Sequence, residues 1–351
     1  MKLLVTGGAG YIGSHVVRQL GEAALRPDRS EDCSALEAVG FKGEAGHDVT
    51  VYDNLSTGHK QAVLCGKLVV GELSDRNKLE AVFSEGRFEA VLHFAARIIV
   101  PESMEFPLQY YSNNTGNTLG LLEICNKYKI QQFIFSSTAA VYGMPKEGTV
   151  NEESPLAPIS PYGASKMMSE RIIIDLARVS PLRYVILRYF NVAGADPKGR
   201  IGQATPNATH LIKVAVEAVV GKRKNVTIFG TDYSTKDGTC IRDYIHVEDL
   251  ASAHVAALDY LSKGGKSAIL NCGYGHGYSV REVIETVQRV SKSKILVQEG
   301  PRRAGDPAMI VADNKKIQKV LGWKPRHDNL DFIVKTALDW EKKLLEKSVL
   351  R

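Results

Sequence analysis

The sequence predicts an α/β fold, with a doubly wound parallel sheet in residues 1–190 and a smaller C-terminal substrate-binding lobe in residues 191–351. In the first part, short apolar runs alternate with helix-like stretches, which is the pattern of βαβ units. These runs are apolar nearly throughout, as expected for strands covered by helices on both faces. After residue 190 the sequence changes to a stretch rich in Gly, Pro and polar residues, followed by shorter mixed elements.

The predicted strands follow one another through the first part of the chain. They are Leu3–Val5, Val49–Tyr52, Leu68–Val70, Ala90–Phe94, Phe133–Phe135 and Tyr184–Tyr189. Six such strands make a doubly wound sheet, whose ligand site lies at the carboxyl ends of the strands. We therefore expect functional residues immediately after these runs.

The second part of the chain contains fewer clear elements. Gly194–Thr209 has the composition of a long loop, Asn225–Phe229 that of a short strand and Val247–Leu261 that of a helix. In the last forty residues we expect a surface helix pair with a turn at residues 321–323. Some of these segments can pack back on the first domain.

One segment does not fit the βαβ pattern. Between the predicted first helix, Ile12–Leu20, and the second strand lies a polar stretch, residues 24–45. Gly-Glu-Ala precedes it, and the same three residues end it. Removing the stretch leaves a connection of ordinary length, so we interpret it as an inserted surface segment. The alternative is a helix extension that packs on the rim of the sheet.

The composition argues against several classes of protein. Of 351 residues, 24% are charged and the formal net charge is +6, with no dense Lys/Arg tract interleaved with aromatic residues, so nucleic acid is not an expected partner. The five cysteines are scattered and lack a C-x-x-C pair, which favours reduced thiols over disulfides or a metal site. Neither a leader-like segment nor an apolar stretch of membrane-spanning length stands out. We expect a cytoplasmic protein that binds neither a metal nor a membrane.

A glycine-rich turn follows the first predicted strand. In the run from Thr6 to Gly13, TGGAGYIG, the glycines allow a tight turn, the approach of a pyrophosphate and close packing of the next helix. The N-terminus of that helix offers free N–H groups to the phosphates. This strand–turn–helix context predicts a dinucleotide site of the Rossmann type.

An acidic residue at the end of the second strand, about 20 positions after the glycines, is expected to bind the ribose hydroxyls. Asp53 ends that strand 40 residues after Gly13, and leaving out the 22 residues of segment 24–45 reduces this to 18. An acid here repels a 2′-phosphate, so the predicted cofactor is NAD rather than NADP. Aspartate and asparagine are also common in turns, so the alternative is that Asp53 and Asn54 only form the turn at the end of the strand.

A tyrosine and a lysine, Tyr162 and Lys166, stand four residues apart, which places both on one face of a helix. The apolar stripe of Met168, Ile172 and Leu176 supports that helix. A free tyrosine titrates at about pH 10 and is a poor base at neutral pH. A cation one turn away, together with a positive nicotinamide ring, favours the phenolate and makes it a usable proton acceptor.

A hydroxyl group is predicted beside this pair. The run from Ser136 to Thr138 ends the fifth predicted strand, at the same edge of the sheet. The Thr138 hydroxyl can hydrogen-bond the reacting oxygen of a substrate and share its proton with Tyr162. Capping a turn is the ordinary alternative role for such a residue.

With these residues assembled, the chain closely resembles the UDP-glucose 4-epimerases of the extended short-chain dehydrogenase/reductase superfamily. The resemblance covers essentially the whole chain apart from residues 24–45. It is carried by the motifs TGGAGYIGSH, YDNLSTGH, HFAA, YYSNN, FSSTAAVYG, SPYGASK, LRYFNVAGA, DGTCIRDYIHVEDLA and PRRAGDPA. The resemblance implies a homodimer that holds NAD tightly and interconverts UDP-glucose and UDP-galactose through a transient 4-keto sugar.

The resemblance also implies roles for individual residues. The implied catalytic group is Thr138, Tyr162 and Lys166, and Lys166 also holds the nicotinamide ribose. The implied cofactor contacts come from Gly7, Gly10, Tyr11, Ile12, Gly13, Asp53, Asn54, Glu72, Leu73, Phe94, Ala95, Ala96, Asn113, Ser136, Tyr162, Lys166 and Tyr189. The implied UDP-sugar contacts come from Thr138, Tyr162, Asn191, Phe229, Arg242, Arg303 and Asp306. Arginine forks suit a diphosphate because they bind it bidentately.

Two positions depart from the usual pattern of the family. Glu72 stands where the family usually has an aspartate near the adenine, and the longer acid can still accept that hydrogen bond. The position that limits sugar size in the family holds Ile310, which lies in size between the bulky aromatic and the small residues found there. Epimerases of UDP-N-acetylglucosamine, UDP-glucuronate or a UDP-pentose therefore stay open as alternatives.

Two further classes fit the sequence less well. Nucleotide-sugar 4,6-dehydratases carry Asp-Glu directly after the active-site threonine, where this chain has Ala139 and Ala140, which cannot transfer protons. A non-catalytic NAD-binding regulator could lose Tyr162 or Lys166 without penalty, yet this chain has both. The sequence therefore favours an NAD-dependent epimerase over either class.

Overall fold

The computed structural model describes residues 1–23, 47–206, 208–303 and 305–349, so the proposed insertion at 24–45 lies outside the described residues. In chain order, the strands are β1 (Lys2–Thr6), β2 (Asp48–Asp53), β3 (Lys67–Val70), β4 (Ala90–His93), β5 (Gln132–Thr138), β6 (Thr149–Val150), β7 (Arg183–Tyr189), β8 (Asn191–Ala193), β9 (Val226–Phe229), β10 (Ile241–Arg242), β11 (Tyr244–His246), β12 (Ala268–Cys272), β13 (Tyr278–Ser279), β14 (Val297–Gly300) and β15 (Met309–Ala312). The α-helices are α1 (Tyr11–Ala23), α2 (Arg76–Gly86), α3 (Val100–Glu105), α4 (Pro107–Tyr110), α5 (Asn117–Lys127), α6 (Pro161–Val179), α7 (Leu211–Val219), α8 (Val247–Ser262), α9 (Val280–Ser291), α10 (Lys315–Leu321) and α11 (Leu330–Val349).

Within the described residues, the main sheet has seven parallel strands in the order β12-β7-β5-β4-β1-β2-β3. All six predicted strands are present, which confirms the doubly wound α/β fold. The predicted number was too low, because the seventh strand, β12, comes from the second part of the chain. β12 pairs in parallel with β7, and the intervening α8 packs on the sheet, so these elements add one more βαβ unit.

Apolar side chains of successive strand residues enter two different clusters, one on each face of the sheet. Leu3 and Val5 of β1 contribute to a cluster that includes the apolar faces of α1 and α8. Leu4 contributes to a second cluster, which is completed by α2, α5 and α6. The strands are therefore buried on both faces, as their continuous apolar composition predicts.

The second part of the chain forms small sheets, one of which also includes β6 from the first part. One has the order β13-β10-β15-β6, and two others pair β11 with β8 and β14 with β9. The predicted strand near residue 226 and the predicted helix from residue 247 are confirmed as β9 and α8. β12 belongs to the main sheet and α8 packs on it, and the division into two lobes at residue 190 stays a prediction.

The C-terminal helices are α10 and α11, with Gly322 in a left-handed conformation (φ 62°) at the end of α10. The sequence predicted that these two helices lie on the surface, and that prediction was incomplete. Trp323, Ile333 and Val334 are buried and belong to the same apolar cluster as α1 and α8. The last helix therefore closes part of the core.

Three findings bear on partners and environment. Among the described helices, none combines the length and apolar content that a membrane crossing needs. The described residues contain no group of three or more His, Cys, Asp or Glu side chains placed to hold a metal ion. Cys65, Cys125, Cys240 and Cys272 are free thiols.

Candidate active site

The glycine turn between β1 and α1 leaves no room for side chains. Gly7 has a φ of +73°, and a Cβ on it would lie 2.5 Å from the Ala95 nitrogen. A Cβ on Gly13 would lie 2.3 Å from the Gly7 carbonyl oxygen. The Gly10 N–H donates to that same oxygen at 3.1 Å. The result is a cradle lined by backbone at the N-terminus of α1, which fits the pyrophosphate of a dinucleotide.

Asp53, at the end of β2, is joined to this turn. Its Oδ2 accepts a hydrogen bond from the Ala9 N–H at 3.0 Å, and its Oδ1 accepts one from the Leu55 N–H at 2.8 Å. Burial raises the pKa of this carboxyl from its ordinary value. Each carboxylate oxygen keeps a further acceptor site, so Asp53 can brace the turn and still accept ribose hydroxyls.

Glu72, predicted to lie near the adenine, contacts Asn54, another predicted cofactor residue. The Asn54 side chain donates to both carboxylate oxygens of Glu72, each at 3.0 Å. The Glu72 carbonyl oxygen accepts from the Tyr52 hydroxyl at 2.8 Å, which fixes the backbone at this point. Leu73, predicted as a further cofactor contact, is buried and packs in the apolar cluster beneath the sheet, so most of its side chain serves the core.

The segment after β4, which contains Phe94, Ala95 and Ala96, lies beside the glycine turn because the Phe94 N–H donates to the Thr6 carbonyl at 2.9 Å. Asn114 holds the end of this segment. Its Oδ1 accepts from the Arg97 N–H at 2.8 Å and its Nδ2 donates to the Arg97 carbonyl at 3.0 Å.

Asn114 also donates to the Ser165 hydroxyl at 3.0 Å, so it connects the segment after β4 to α6. The sequence prediction named its neighbour Asn113, whose Nδ2 donates to Asn114 Oδ1 at 2.9 Å, and missed Asn114. Both residues lie in a π-helical turn, Tyr111–Gly116, and no sequence pattern indicated that turn.

Thr138, Tyr162 and Lys166 meet at the carboxyl end of β5. Helix α6 begins after Ser160, whose hydroxyl accepts from the Gly163 N–H at 3.2 Å. A side-chain hydrogen bond from Thr138 reaches Tyr162. Thr138 Oγ1 also accepts from the Ala140 N–H at 3.1 Å, so it caps the following turn as well. Both roles considered for Thr138 are therefore present.

The predicted apolar stripe of α6 is confirmed only in part, because Ile172 and Leu176 pack against the apolar cluster of this face but Met168 does not. Met168 is 43% exposed, whereas Ser169 and Glu170 are buried. The reason is that Tyr162 and Lys166 themselves face the sheet, and residues three or four positions further along a helix share that face. The buried stripe of α6 is therefore largely polar, which an apolar pattern cannot reveal.

Burial dominates the electrostatics of the Tyr–Lys pair. Burial raises the pKa of Tyr162 well above its ordinary value, and the hydrogen bond from Thr138 offsets this only in part. Burial lowers the pKa of Lys166 to about 7, and the Glu170 carboxylate acts in the opposite direction. The Lys166 ammonium donates to the Ser136 carbonyl at 2.8 Å. The prediction that Lys166 and a positive nicotinamide ring together favour the phenolate stays a prediction, because these shifts describe the chain without the cofactor.

Ser136 and Tyr189, which are also predicted cofactor residues, form one wall of this candidate site. Tyr189 is the register partner of Thr138, and its hydroxyl accepts from the Ser136 hydroxyl at 3.2 Å. His254 of α8 supports this wall, since its Nε2 lies 3.4 Å from Ser136 Oγ and its ring centroid 4.8 Å from that of Phe94. Sequence reasoning missed His254, because nothing local links α8 to β5.

The predicted diphosphate residues form two pairs. Arg242 of β10 contacts the Asp306 carboxylate at 3.2 Å. The Arg303 guanidinium lies 3.8 Å from the ring centroid of Phe229, at the end of β9. Each guanidinium is thus oriented by a neighbouring side chain and retains N–H groups for an anionic ligand.

Short connections tie the substrate residues to the catalytic edge. Asn191 begins β8, two residues after the end of β7. The hydroxyl of Tyr11, in the glycine turn, donates to the Gly194 carbonyl at 2.6 Å, just beyond β8. Ile310 is buried in a cluster that also contains Ala139, the residue after Thr138. These contacts place β8 and Ile310 close to the glycine turn and to the carboxyl end of β5.

Hydride transfer to a dinucleotide is assisted by a proton acceptor beside it, and the carboxyl edge of this sheet provides places for both. The fold and the site together define an NAD-binding enzyme of the extended short-chain dehydrogenase/reductase class. The sequence model of the NAD dependent epimerase/dehydratase family matches residues 3–273, and the chain belongs to this family.

Individual relatives are similar over nearly the whole chain. A UDP-glucose 4-epimerase of Azospirillum brasilense is 51% identical over 349 residues, which cover 99% of this chain and 94% of that protein. The structure of the UDP-Glc/GlcNAc 4-epimerase from Campylobacter jejuni is 48% identical, with a TM-score of 0.80 over 97% of this chain and 99% of that one. The structure of a UDP-glucose 4-epimerase from Bifidobacterium longum in complex with NAD+ and UDP is 36% identical, with a TM-score of 0.86 over 98% of each chain. The resemblance carried by the motifs is confirmed.

Proposed function

We propose that this chain is a UDP-glucose 4-epimerase, which interconverts UDP-glucose and UDP-galactose through a transient 4-keto sugar. The observation that carries the proposal is the junction of Thr138, Tyr162 and Lys166 at the carboxyl end of β5, beside the glycine cradle. The 51% identity to a UDP-glucose 4-epimerase over nearly the whole chain supports the same activity.

NAD fits the residues of the cradle. The glycine turn and the N-terminus of α1 would hold the pyrophosphate, Asp53 the ribose on the adenine side and Lys166 the ribose on the nicotinamide side. NAD, when bound, supplies a hydride acceptor and donor together with the positive charge that favours the Tyr162 phenolate. Because each catalytic cycle returns the cofactor to its starting state, NAD can stay bound between turnovers.

The chain's own residues manage the proton. In this proposal Tyr162 takes the proton of the sugar 4-hydroxyl on its phenolic oxygen and later returns it. The Thr138 hydroxyl hydrogen-bonds Tyr162 and so holds the phenolic oxygen of Tyr162 beside the sugar 4-hydroxyl. Burial of Tyr162 excludes competing water, so the proton passes between phenol and sugar.

Inversion at C4 requires that the sugar turn over while the nucleotide stays fixed. Arg242 and Arg303 would hold the diphosphate, and their pairing with Asp306 and Phe229 keeps both guanidinium groups in place. The anchored diphosphate allows the 4-keto sugar to present its opposite face. Ala139 and Ala140 leave the site without an acid/base pair for loss of water, which argues against a dehydratase.

A second candidate substrate class is the N-acetylated UDP-hexoses. Ile310, at the position that limits sugar size, is smaller than an aromatic residue and packs beside Ala139. The UDP-Glc/GlcNAc 4-epimerase from Campylobacter jejuni is 48% identical to this chain. Both observations favour room for an N-acetyl group.

The oligomeric state and the cellular location are also part of this proposal. We propose a homodimer, because Met104, Leu108 and Leu119 expose large apolar side chains on α3, α4 and α5, near the exposed Met168 of α6. We propose a cytoplasmic location, because the described cysteines are free thiols. Light scattering of the purified protein tests the first expectation, and fractionation of the native cells tests the second.

The direct test is incubation of the purified protein, without added NAD, with UDP-galactose, followed by chromatography of the nucleotide sugars. The expected product is UDP-glucose, which should also be converted back to UDP-galactose. Parallel incubations with UDP-N-acetylgalactosamine and UDP-glucuronate determine the substrate range. Failure to convert any of these sugars by protein that contains NAD would refute the proposal.

A further inference from the structure

A buried ion pair lies directly behind the catalytic residues. Arg188 of β7 donates from Nη2 to Glu170 Oε2 at 2.6 Å and from Nε to Glu170 Oε1 at 3.1 Å. The two side chains are only 3% and 2% exposed. The resemblance to the family assigned neither residue a role, and the predicted mechanism does not use them.

This ion pair joins the helix that carries Tyr162 to the strands that carry Thr138 and Tyr189. The Ser137 hydroxyl, one residue before Thr138, donates to Glu170. Ser137 and Arg188 are register partners on β5 and β7, as are the next residues along each strand, Thr138 and Tyr189. Glu170 therefore fixes the height of α6 against both strand ends.

Packing alone does not account for the pair. Two charges removed from water are costly, and well-packed apolar residues of similar volume often give equal or greater stability. The network does continue, since Arg188 donates to the Tyr142 hydroxyl at 3.0 Å and Tyr142 donates to Asn271 at 2.7 Å. What the pair provides beyond these hydrogen bonds is a fixed carboxylate four residues after Lys166.

The titratable and charged groups around Lys166 come from four elements. They are Tyr162 and Glu170 on α6, Arg188 and Tyr189 on β7, His93 on β4 and His254 on α8. Burial lowers the pKa of His93 to about 3 and that of His254 to about 4, so both rings are neutral at physiological pH. Among these groups, Glu170 supplies the negative charge that opposes the loss of the Lys166 proton.

We propose that Glu170 is a positioning residue for the epimerase reaction, which holds α6 against the ends of β5 and β7 and keeps Lys166 positively charged. The inference rests on the proposed function, because a charged Lys166 matters only where Tyr162 must exchange a proton with the sugar. A neutral Lys166 would leave the buried phenolate without a cation contributed by the protein.

The experiment uses the NAD-containing enzyme and three variants. Glu170→Gln removes the charge, Glu170→Asp keeps it on a shorter side chain, and Glu170→Gln combined with Arg188→Gln removes both charges, so that no unpaired arginine stays buried. Three measurements are made on each variant. They are the pH dependence of kcat and KM with UDP-galactose, the titration of the Lys166 Cε signal by ¹³C NMR, assigned with Lys166→Arg, and the midpoint of unfolding in urea.

We expect Glu170→Gln to lower the midpoint of the Lys166 titration by about 1 pH unit or more, because an opposite charge has been removed. The fall of kcat at alkaline pH should move down by the same amount, while KM stays within about twofold because the arginines that bind the diphosphate are unchanged. Glu170→Asp should titrate close to the parent enzyme. The double variant should recover the stability lost in Glu170→Gln but keep its lowered titration midpoint.

A purely structural role predicts a different pattern. If the double variant recovered both stability and the parent pH profile, or if Glu170→Gln left the Lys166 titration unchanged, the inference would be overturned. The proposed function is tested separately by the parent enzyme. Should that enzyme lack turnover, the proposed function fails, and the NMR titration alone still decides whether Glu170 controls the charge on Lys166.

Discussion

The cofactor end and the substrate end of this site are built in different ways. Residues predicted to bind the cofactor lie at the ends of paired strands of the main sheet, as Asp53 ends β2 and Tyr189 ends β7. The diphosphate residues lie on short segments, such as the two-residue β10, and are held by side-chain pairs. The first end depends on the core of the protein, whereas the second depends on a few local contacts. Substitutions should therefore abolish function at one end and weaken binding at the other.

The largest expected effect comes from the catalytic edge. Tyr162→Phe should lower kcat by about 10²- to 10⁴-fold, the usual contribution of general acid–base catalysis, with bound NAD retained. Chromatographic assay of UDP-galactose conversion and the nucleotide content of the purified protein check both parts. Tyr184→Phe, near the opposite end of β7, is the matched control and should keep near-normal turnover. Substantial turnover by Tyr162→Phe would contradict the assignment of Tyr162 as the proton acceptor.

The next effect concerns the glycine cradle. Gly13→Ala should lose most of its bound NAD, because the new Cβ would lie 2.3 Å from the Gly7 carbonyl oxygen. Gly116→Ala provides the control, since a Cβ there has no contact closer than 3.8 Å. The measurement is NAD released on denaturation per mole of protein. Equal NAD content in both variants would show that the cradle does not depend on close backbone packing.

At the substrate end the expected effect is smaller and confined to binding. Arg303→Leu should raise KM for UDP-galactose by about 10- to 100-fold, the loss of one charge-assisted contact, with a smaller change in kcat. The neighbouring Arg302→Leu is a close control, since Arg302, like Arg303, stacks on an aromatic ring, in this case that of Tyr233, and it pairs with Asp232. Steady-state kinetics distinguishes the two. Similar KM values for both variants would contradict the placement of the diphosphate.

The difference between the cofactor end and the substrate end also decides how much of the site could be predicted from the sequence. Strand ends are local features, so the positions of Asp53, Thr138 and Tyr162 could be predicted from runs, spacing and helix periodicity. The contact between Arg242 and Asp306 joins residues 64 positions apart, and only the resemblance to the family pointed to it. Periodicity gives no information on such a pair.

The supporting residues escaped prediction for a physical reason. Asn114, His254 and Glu170 act by contacts across elements, and each looks like an ordinary polar residue in its own segment. Strand β12 escaped because its run lies far along the chain, although it completes the main sheet. Tertiary packing decides these features, and a single sequence contains little trace of it.

A further expected effect is on stability in acid, and it should be common to both ends. Burial lowers the pKa values of His15 and His254 to about 4 and those of His93 and His246 to about 3. The unfolded chain takes up these protons below about pH 6.5, so the free energy of unfolding should fall as the pH drops from there towards 4. Each histidine contributes up to about 1.4 kcal/mol per pH unit. Asp243, whose pKa burial raises to about 6, acts in the opposite direction.

Urea unfolding at pH 7.5, 6 and 5 measures this effect. Because the two parts of the chain share one apolar cluster, circular dichroism and release of NAD should give the same midpoint at each pH. A stability that stays constant down to pH 5 would contradict the buried neutral histidines. Separate midpoints for circular dichroism and release of NAD would show that the two ends of the site unfold independently.

The most direct test of the whole account follows the hydrogen at C4 of the sugar. UDP-galactose labelled with deuterium at C4 is incubated with the enzyme as purified, and the UDP-glucose formed is analysed by mass spectrometry and NMR. The account predicts full retention of deuterium at C4, because one tightly held cofactor receives and returns the same hydrogen within a closed site. Loss of the label to water, or its appearance at another carbon, would contradict it.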